Sequence, residues 1–373
     1  MKVLYDLIYF SSQEFGGISR MWLEHFMQLP DSNVEPVFIA RPNNNMAQEY
    51  LEQMNYHDAP VIWEGSEGFM GKLGQLGFWR GLTLVSKTRK FSDAIFHSTD
   101  YINPVASLNG LRTVTTIHDM VYWDQKEHFE KNIWYWDKVW ATYHSLRFSD
   151  AVVAVSETTK QAILTYFPWA ENKVHVIHHG VGESFRKTKP EKHKSKRFLF
   201  LGGRNNYKNF NLLVEAFSRF APDYPDWTLH VTGANTFANT RNAELENYKS
   251  LGIAERVVDH GLVDQKTLIE LLAGSRALVI PSLNEGFNFP LIEALAVGTH
   301  VLSSNIPVSL ELGKDYASFF SPTDGKALLE KMRRTADCPP SETELMNAME
   351  YARSFTWENS FEKLCGIYEQ VLN

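Results

Sequence analysis

The sequence has little cysteine, no excess of basic residues and no long apolar run, and each absence excludes a class of protein. Its 373 residues include two cysteines, Cys338 and Cys365, too few for a disulfide framework, so we expect a reducing, cytoplasmic setting. Lys and Arg number 37 against 44 Asp and Glu, a net charge of −7, which argues against a general nucleic-acid binder. No apolar run approaches the ~20 residues of a membrane-spanning helix.

The first residues, Met1-Lys2-Val3-Leu4-Tyr5-Asp6, place a lysine and an acid around a short apolar run. This pattern is typical of a first β-strand and not of a signal peptide. We therefore expect a soluble protein that at most rests on a membrane surface.

Length and pattern predict two α/β domains. A chain of 373 residues, 44% hydrophobic and 22% charged, exceeds the ~250–300 residues of one core. Short β-branched runs predict strands at 3–10, 34–40, 94–97, 113–117, 151–155, 174–178, 197–201, 228–232, 256–260, 277–280 and 300–303. Helical spacing predicts helices at 18–27, 158–167, 209–220, 266–273, 290–297 and 357–372. This alternation indicates parallel sheets with ligands at the carboxyl ends of the strands.

A composition break divides the chain. Residues 184–196 are nearly all polar and mostly basic, which predicts a solvated linker, with binding of anionic lipid headgroups as the alternative. The predicted boundaries are 1–183, 184–196, 197–353 and 354–373.

Residues 281–296 carry the most informative pattern. They follow a predicted buried strand, and Pro290 is typical of the first turn of a helix. Backbone amides at that positive helix terminus suit phosphate oxygens. The amides concerned belong to Phe287, Asn288 and Phe289. Glu285 in the loop and Glu293 in the helix are acceptors for hydroxyl groups, so the ligand needs both phosphates and hydroxyls, as a nucleotide sugar has.

A second cluster lies in residues 198–210, where a predicted strand leads through a Gly-rich turn into a helix. Arg204 and Lys208 in this turn are candidates to neutralise a diphosphate leaving group. The spacing matches neither the dinucleotide-binding Gly pattern nor a Walker loop.

These segments resemble those of the family-four retaining glycosyltransferases. The first resembles the E-x(7)-E signature, usually seen as S-x-x-E-G-F-G-x-P-x-x-E-A-x-A-x-G, and the second the family's G-x-R-x-x-x-K-N segment. The resemblance implies that Glu285 contacts the donor sugar and Glu293 the ribose. It implies that Arg204 and Lys208 hold the pyrophosphate. The chain departs from the family's pattern at Asn288, where the family often has Gly. The larger Asn side chain narrows the space beside the donor sugar.

The N-terminal half offers weaker signals. Gly16 and Gly17 follow the first predicted strand and suit either close approach to the distal phosphate or a plain turn. His118 lies in a segment that resembles the family's T-x-H-D, which implies that it faces the donor sugar, whereas a structural histidine beside a helix cap is the alternative. The pair His178–His179 resembles metal ligands, but no third ligand lies at useful spacing, so we interpret it as a hinge turn.

The resemblance covers nearly the whole chain and implies the GT-B fold, in which two Rossmann-like domains face a central cleft. It makes 1–183 the acceptor-binding domain, 197–353 the nucleotide-sugar-binding domain and 354–373 a helix that returns to the first domain. It further implies retention at the anomeric carbon. Charge neutralisation by Arg204, Lys208 and a helix terminus predicts hexose transfer with neither a cofactor nor a metal. The sequence contains no Asp-x-Asp, the metal motif of the other large transferase fold. No carboxylate nucleophile stands out, so we favour same-face attack assisted by the leaving phosphate.

Donor and acceptor are less defined. The N-terminal half resembles mannosyltransferases of surface-polysaccharide assembly, such as lipopolysaccharide, which favours GDP-mannose over a UDP-sugar and a glycan or lipid-linked saccharide as acceptor. Residues 69–91 mix apolar and basic side chains, typical of an ordinary amphipathic helix or of peripheral contact with the inner face of a membrane. An aromatic cluster predicts core packing or an acceptor groove. Its members are Trp123, Phe129, Trp134, Tyr135, Trp136, Trp140 and Tyr143.

Three other functions fit the same pattern less well. A nucleotide-sugar epimerase or hydrolase needs additional carboxylates in the N-terminal half, and no convincing set occurs there. A non-catalytic partner subunit tends to lose the acidic and basic residues that are intact here. A nucleotide-binding regulator has no need of Glu285 facing a hexose.

Overall fold

The computed structural model describes residues 1–7, 10, 17–40, 61–63, 91, 93–99, 111–124, 133–191, 193–204, 206–233 and 238–373. These residues form two compact units. Unit 1 contains Met1–Gly180 and Thr356–Asn373, and unit 2 contains Val181–Phe355. Among the described residues, no helix combines the length and the apolar character that crossing a membrane requires.

Unit 1 is built on a parallel sheet. Its described strands are β1 (Lys2–Asp6), β2 (Glu35–Ala40), β3 (Val61–Trp63), β4 (Ile95–Ser98), β5 (Arg112–Ile117), β6 (Ala151–Ala154) and β7 (Val174–Val176). They are ordered β3-β2-β1-β4-β5-β6-β7. Every residue of β4 and β6 is buried, as expected for a parallel sheet with both faces covered.

Helices connect these strands. They are α1 (Gly17–Phe26), α2 (Val121–Asp124), α3 (Ile133–Phe148) and α4 (Glu157–Tyr166), with short 3₁₀ segments at Leu29–Asp31 and Pro168–Lys173. Helix α4 begins where it does because the Ser156 hydroxyl accepts the backbone N–H of Thr159 at 3.0 Å, which satisfies one of the unpaired donors of the first turn.

The last helix of the chain, Trp357–Leu372, belongs to unit 1 and is called the terminal helix below. One stripe of this helix is buried, and Tyr368 on that stripe is fully buried. The Tyr368 hydroxyl lies 3.1 Å from the Tyr5 hydroxyl on β1 and 2.5 Å from His97 Nδ1 on β4. The terminal helix is therefore attached to the sheet by buried polar contacts as well as by apolar packing.

Unit 2 contains a second parallel sheet. Its described strands are β8 (Ser195–Leu201), β9 (Thr228–Thr232), β10 (Val257–Asp259), β11 (Ser275–Ile280), β12 (His300–Ser304) and β13 (Ser318–Phe320), ordered β10-β9-β8-β11-β12-β13. Its helices are α5 (Glu183–Arg186), α6 (Phe210–Phe220), α7 (Ala238–Ser250), α8 (Gln265–Gly274), α9 (Phe289–Ala296), α10 (Pro307–Gly313), α11 (Gly325–Asp337) and α12 (Glu342–Arg353). Short 3₁₀ segments lie at Asn206–Lys208, Ala254–Arg256 and Lys314–Tyr316.

The segment 184–196 contains more structure than its composition indicates. Phe185 within α5 is fully buried, and β8 already starts at Ser195. The beginning of this basic segment is therefore structured and in part buried.

The strand order of unit 2 reverses direction between β8 and β11. From β8 the chain proceeds outward through β9 and β10, and from β11 it proceeds the other way through β12 and β13. At such a switch point the loops after the two central strands diverge and leave a crevice at the carboxyl edge of the sheet, where open α/β sheets bind ligands.

Candidate functional site

The two loops at the switch point of unit 2 are held together by direct hydrogen bonds. After β8, Asn209 adopts a left-handed conformation with φ 54° immediately before α6. Its side-chain amide donates to the carbonyl of Pro281 at 3.0 Å and to that of Pro322 at 2.8 Å. The backbone N–H of Leu283 donates to the Tyr207 carbonyl at 2.7 Å. These bonds fix the positions of the side chains that the two loops carry.

Glycine is required where the loops after β8 and β9 meet. Gly233 has φ +131°, and a Cβ atom there would lie 2.6 Å from the carbonyl carbon of Gly202. Gly202 itself has φ +132°. The backbones therefore approach more closely than side chains allow, which keeps the turn that carries Arg204 and Lys208 tight.

Lys208 and Glu285, both predicted from sequence, meet at this switch point. Lys208 Nζ lies 2.6 Å from Glu285 Oε1, and the two side chains are 15% and 12% exposed. The Ser282 hydroxyl donates to the same oxygen at 2.7 Å. The second oxygen, Oε2, accepts no hydrogen bond from any residue that the structure describes. One side of the carboxylate is thus fixed, and the other side can accept a ligand hydroxyl.

The electrostatics of this pair keep the lysine charged. Burial by itself lowers the pKa of Lys208, but the carboxylate of Glu285 and the neighbouring Tyr207 outweigh burial, so the pKa is raised above its usual value. A cation therefore stays beside Glu285 at neutral pH.

Helix α9 starts directly after the Glu285 loop. Asn288 precedes it in a left-handed conformation, φ 58°, and is 3% exposed. Its side-chain amide donates to the Ser309 hydroxyl at 3.0 Å, and the Ser303 hydroxyl donates to the same Ser309 oxygen at 3.0 Å. Asn tolerates this backbone conformation better than most residues, which explains how it replaces Gly here.

The remaining predicted residues of this segment are also buried or half-buried. Phe287 is 4% exposed, and its ring lies 5.1 Å from that of Phe289 in an edge arrangement. Glu293, within α9, is 3% exposed. A carboxylate so deeply buried requires hydrogen-bonding partners.

Arg204 lies within ion-pair distance of two carboxylates, Asp259 and Glu244, that the sequence pattern did not predict. Its Nη2 lies 3.1 Å from Asp259 Oδ1 and its Nε 3.7 Å from Glu244 Oε2, ion-pair contacts that lack hydrogen-bond alignment. Nη1 donates to the Gly233 carbonyl at 3.0 Å, and the guanidinium lies over the Phe210 ring. Arg204 therefore does not contact Glu285 as Lys208 does, and its charge is compensated within unit 2.

Sequence reasoning missed these partners for different reasons. Glu244 and Asp259 lie on other elements far along the chain, and only the folded sheet brings them to Arg204. Asn209 did carry a signal, since Asn before a helix often adopts the left-handed conformation. Ser282 lies three residues before Glu285, a spacing that permits contact in a loop but does not require it.

Two of the predicted residues of unit 1, His118 and Gly17, lie in described segments. His118 follows β5 and is 5% exposed, and Asp119 Oδ1 accepts the backbone N–H of Val121 at 3.1 Å at the start of α2. Gly17 is the first residue of α1, and Gly16 lies outside the described residues. Within the described ranges, no group of three His, Cys, Asp or Glu side chains is placed to hold a metal ion.

Two family profiles together match almost the whole chain. Residues 15–185 match the family described as Glycosyltransferase Family 4, and residues 182–354 match Glycosyl transferases group 1. The match at 182–354 contains both the E-x(7)-E and the R-x-x-x-K segments described above.

Two O-antigen mannosyltransferases are similar to this chain at low sequence identity. The O-antigen chain mannosyltransferase RfbU of Salmonella typhimurium is 27% identical over 217 residues, which span 56% of each chain. The O-antigen chain mannosyltransferase B of Escherichia coli is 23% identical over 298 residues, 75% of each chain. The match to the Salmonella protein thus spans about half of that protein's length.

Solved structures share the fold over the full length. Anabaena HepE, crystallised with UDP and glucose, has a TM-score of 0.77 at 18% identity, covering 99% of this chain and 100% of HepE. The lipopolysaccharide outer core galactosyltransferase WaaB has a TM-score of 0.71 at 17% identity, covering 99% of both chains. The prediction of an α/β, GT-B-type fold is confirmed. The chain therefore belongs to the group 1 glycosyltransferases of family 4, a family of retaining, metal-independent enzymes.

Proposed function

We propose that this protein is a retaining, metal-independent hexosyltransferase whose donor, a nucleoside diphosphate sugar, binds at the switch point of unit 2. The acceptor is a glycan or a lipid-linked saccharide. The observation that carries the proposal is the contact between Lys208 Nζ and Glu285 Oε1 at 2.6 Å, directly before α9. This contact supports the proposal because a cation, a carboxylate and the start of a helix lie together, and a nucleotide sugar needs partners both for its phosphates and for its hydroxyls.

Each residue has a defined role in the proposed reaction. The bond between the anomeric carbon and the diphosphate oxygen breaks, and negative charge grows on the departing diphosphate. Lys208 stabilises this charge, and Arg204 is proposed to assist it. Glu285 accepts a sugar hydroxyl through Oε2 and thereby orients the hexose, while Glu293 holds the ribose. His118 is proposed to face the donor sugar from unit 1.

Retention follows from attack on the same face. The acceptor oxygen bonds to the anomeric carbon on the side that the diphosphate leaves, and the acceptor proton passes to a diphosphate oxygen. This route needs no carboxylate nucleophile on the opposite face of the sugar. Its barrier falls chiefly through stabilisation of the leaving group, which is the role given to Lys208.

The donor is proposed to be GDP-mannose. The support is the mannosyltransferase names of the Salmonella and Escherichia coli relatives, both at low identity. The competing proposal, a UDP-sugar, has support from the UDP and glucose complex of Anabaena HepE. We further propose, from the names of the same two relatives, that the transfer takes place in the assembly of a surface polysaccharide at the cytoplasmic face of the membrane.

Calorimetric titration with GDP, UDP, dTDP and ADP in the presence of EDTA tests the proposal. We expect one nucleotide to bind in the micromolar range and a Lys208→Ala variant to bind it at least about tenfold more weakly, since a phosphate-bound cation is removed. The matched control is Lys266→Ala, which removes an exposed lysine of the same unit. Absence of binding by any nucleotide would contradict the donor site and favour a non-catalytic partner subunit.

A further inference from the structure

Five charged side chains that pair with one another at the carboxyl edge of the unit 2 sheet carry more negative than positive charge. Lys208 is paired with Glu285. Arg204 lies within ion-pair distance of both Asp259 and Glu244. A diphosphate is held most strongly by cations that form charge-assisted hydrogen bonds to its oxygens. Phosphate binding alone therefore does not explain why two carboxylates face Arg204.

The two carboxylates compensate the charge of Arg204 without satisfying its hydrogen-bonding groups. The Arg204 side chain is 6% exposed, with Nη2 3.1 Å from Asp259 Oδ1 and Nε 3.7 Å from Glu244 Oε2. Both N–H groups are buried, and neither donates a hydrogen bond to any residue that the structure describes. Buried N–H groups without an acceptor are unfavourable, so the guanidinium retains two donors that a ligand oxygen can satisfy.

Other contacts hold the two carboxylates in place. Asp259 Oδ1 accepts the backbone N–H of Gly261 at 2.9 Å, which ties this carboxylate to the turn after β10. Glu244 on α7 is hydrogen-bonded to the side chain of Tyr248, one turn further along the helix. Burial and the charge of Glu244 raise the pKa of Tyr248, so its hydroxyl keeps its proton at neutral pH. The carboxylates therefore keep their positions even when Arg204 pairs with another anion.

The remaining contacts of Arg204 leave its choice of anion open. Its guanidinium carbon lies 5.5 Å from the centre of the Phe210 ring, a cation–π contact that attracts the charge but specifies no oxygen partner. Nη1 donates to the Gly233 carbonyl at 3.0 Å, an uncharged acceptor. Lys208, the cation of the proposed diphosphate site, follows four residues later on the same turn. Arg204 is thus placed between two fixed carboxylates and the turn that is proposed to bind the diphosphate.

We propose that Asp259 and Glu244 are positioning residues that compete with the nucleoside diphosphate for Arg204. This inference rests on the proposed function, because it assumes that the donor binds beside Lys208. Phosphate oxygens of the donor accept from the two unsatisfied N–H groups of the guanidinium. After transfer the carboxylates take the guanidinium back, which weakens the hold on the nucleoside diphosphate and speeds its release. An arginine without these carboxylates holds the product more tightly and releases it more slowly.

Neutral variants of the two carboxylates provide the test, with GDP and UDP as the titrated ligands. Asp259→Asn and Glu244→Gln each remove one charge and keep an oxygen that accepts from Gly261 or Tyr248. We expect each variant to bind the nucleotide about three- to tenfold more tightly than the wild type, with a matching fall in the dissociation rate. The matched control is Glu246→Gln, which removes an exposed acid of the same helix and should bind as the wild type does.

A double-mutant cycle shows whether the carboxylates act through Arg204. Calorimetry gives the affinities, and displacement of a fluorescent analogue of the same nucleotide gives the dissociation rates. Arg204→Ala alone should bind the nucleotide more weakly than the wild type. Adding Asp259→Asn to that variant should no longer tighten binding, because the cation for which the anions compete is gone. Tightening that persists without Arg204 would show that Asp259 repels the diphosphate directly, and the competition would be overturned.

Melting temperatures with and without nucleotide separate competition from structural damage. Loss of a carboxylate leaves Arg204 less compensated, so we expect Asp259→Asn to melt earlier than the wild type and to gain more from added nucleotide. Damage to the fold would weaken nucleotide binding, so the direction of the change in affinity is decisive. If the wild type binds nucleotide and neither carboxylate variant binds it more tightly, this inference fails and the proposed function stands. If the wild type binds neither GDP nor UDP, both fail.

Discussion

The ion pair of Lys208 and Glu285 determines what the switch point can bind. With 15% and 12% of the side chains exposed, both charges are largely removed from water, and each depends on the other. Removing one partner of such a pair leaves a charge that is poorly solvated, whereas exposed ion pairs contribute little. Arg204 shows the same dependence on Asp259 and Glu244, so the turn after β8 carries two cations with separate sets of carboxylates.

We expect the substitution Glu285→Gln to uncouple nucleotide binding from turnover. The variant keeps a hydrogen-bonding group beside Lys208 but loses the negative charge that accepts the sugar hydroxyl. We expect the affinity for the nucleoside diphosphate to change by only a few-fold. The rate at which nucleoside diphosphate is released from the donor should fall by a factor on the order of 10²–10³, as when a transition-state hydrogen bond is removed. Calorimetry and a product-release assay measure the two quantities on the same preparation.

The matched control is Glu255→Gln, which neutralises an exposed acid of the 3₁₀ segment at Ala254–Arg256. It should leave both quantities at wild-type values. Turnover retained by Glu285→Gln would show that this carboxylate does not orient the sugar.

At the scale of elements, the terminal helix packs closely against the rest of unit 1. Its start crosses the backbone of Gly180, where a Cβ atom would lie 2.6 Å from the carbonyl carbon of Thr356 and 2.7 Å from Trp357 Cγ. Further along the helix, His25 Nε2 on α1 lies 3.0 Å from the Ser360 hydroxyl. A backbone contact and buried polar contacts therefore fix the helix at several points.

A pair of glycine substitutions tests the backbone contact. Gly180→Ala is expected to destabilise unit 1 by about 1–3 kcal/mol, because overpacking against backbone forces the terminal helix to move. Gly366→Ala, inside the terminal helix with nothing within 4 Å of the added Cβ, is expected to raise stability by about 0.5–1 kcal/mol through helix propensity. Amide hydrogen exchange of residues 357–372 during a urea titration reports both changes. Equal effects of the two variants would contradict the packing described here.

Buried histidines make the stability of unit 1 depend on pH. Burial, and then the neighbouring His118, lowers the pKa of His25 to about 3, and burial keeps the pKa values of His97 and His179 well below 6.5. These rings are neutral in the folded chain but titrate near 6.5 when it unfolds, so between pH 6.5 and 3 the unfolded chain binds more protons. Stability is therefore complete above pH 6.5 and falls as the pH drops.

Each such histidine contributes a slope of up to about 1.4 kcal/mol per pH unit below its unfolded pKa. The same exchange experiment at pH 7.5 and 5.5 should show a lower free energy of opening for the terminal helix at pH 5.5. His25→Gln, which keeps a polar group near Ser360 but cannot titrate, should reduce the slope by about one proton. An unchanged slope in this variant would show that His25 is already protonated in the folded chain.

For the whole molecule, the pattern of the sequence predicts the sheets well where strands are central. The predicted strands at 197–201 and 277–280 lie within β8 and β11, and the helix predicted at 290–297 nearly coincides with α9. The three-residue edge strands β3 and β13 were not predicted, although the equally short edge strands β7 and β10 were.

The candidate site could be predicted only in part. Lys208 and Glu285 carry family motifs, and their contact follows from two strands meeting at one edge of the sheet. The contacts of Arg204 with Asp259 and Glu244 depend on the relative positions of three elements, which local sequence does not encode. The aromatic cluster was ambiguous because apolar residues occupy both sides of α3, so periodicity could not distinguish the buried Tyr135 from the exposed Trp136.

Hydrogen exchange with and without nucleotide tests the claim that the nucleoside diphosphate binds in unit 2 at the switch point between β8 and β11. With the nucleotide that binds most tightly in EDTA, we predict slower amide exchange in residues 206–212 and 282–296. We predict no such protection when the wild-type protein receives an equal concentration of phosphate alone. Tight nucleotide binding with unchanged exchange in both segments would contradict the claim and place the donor elsewhere.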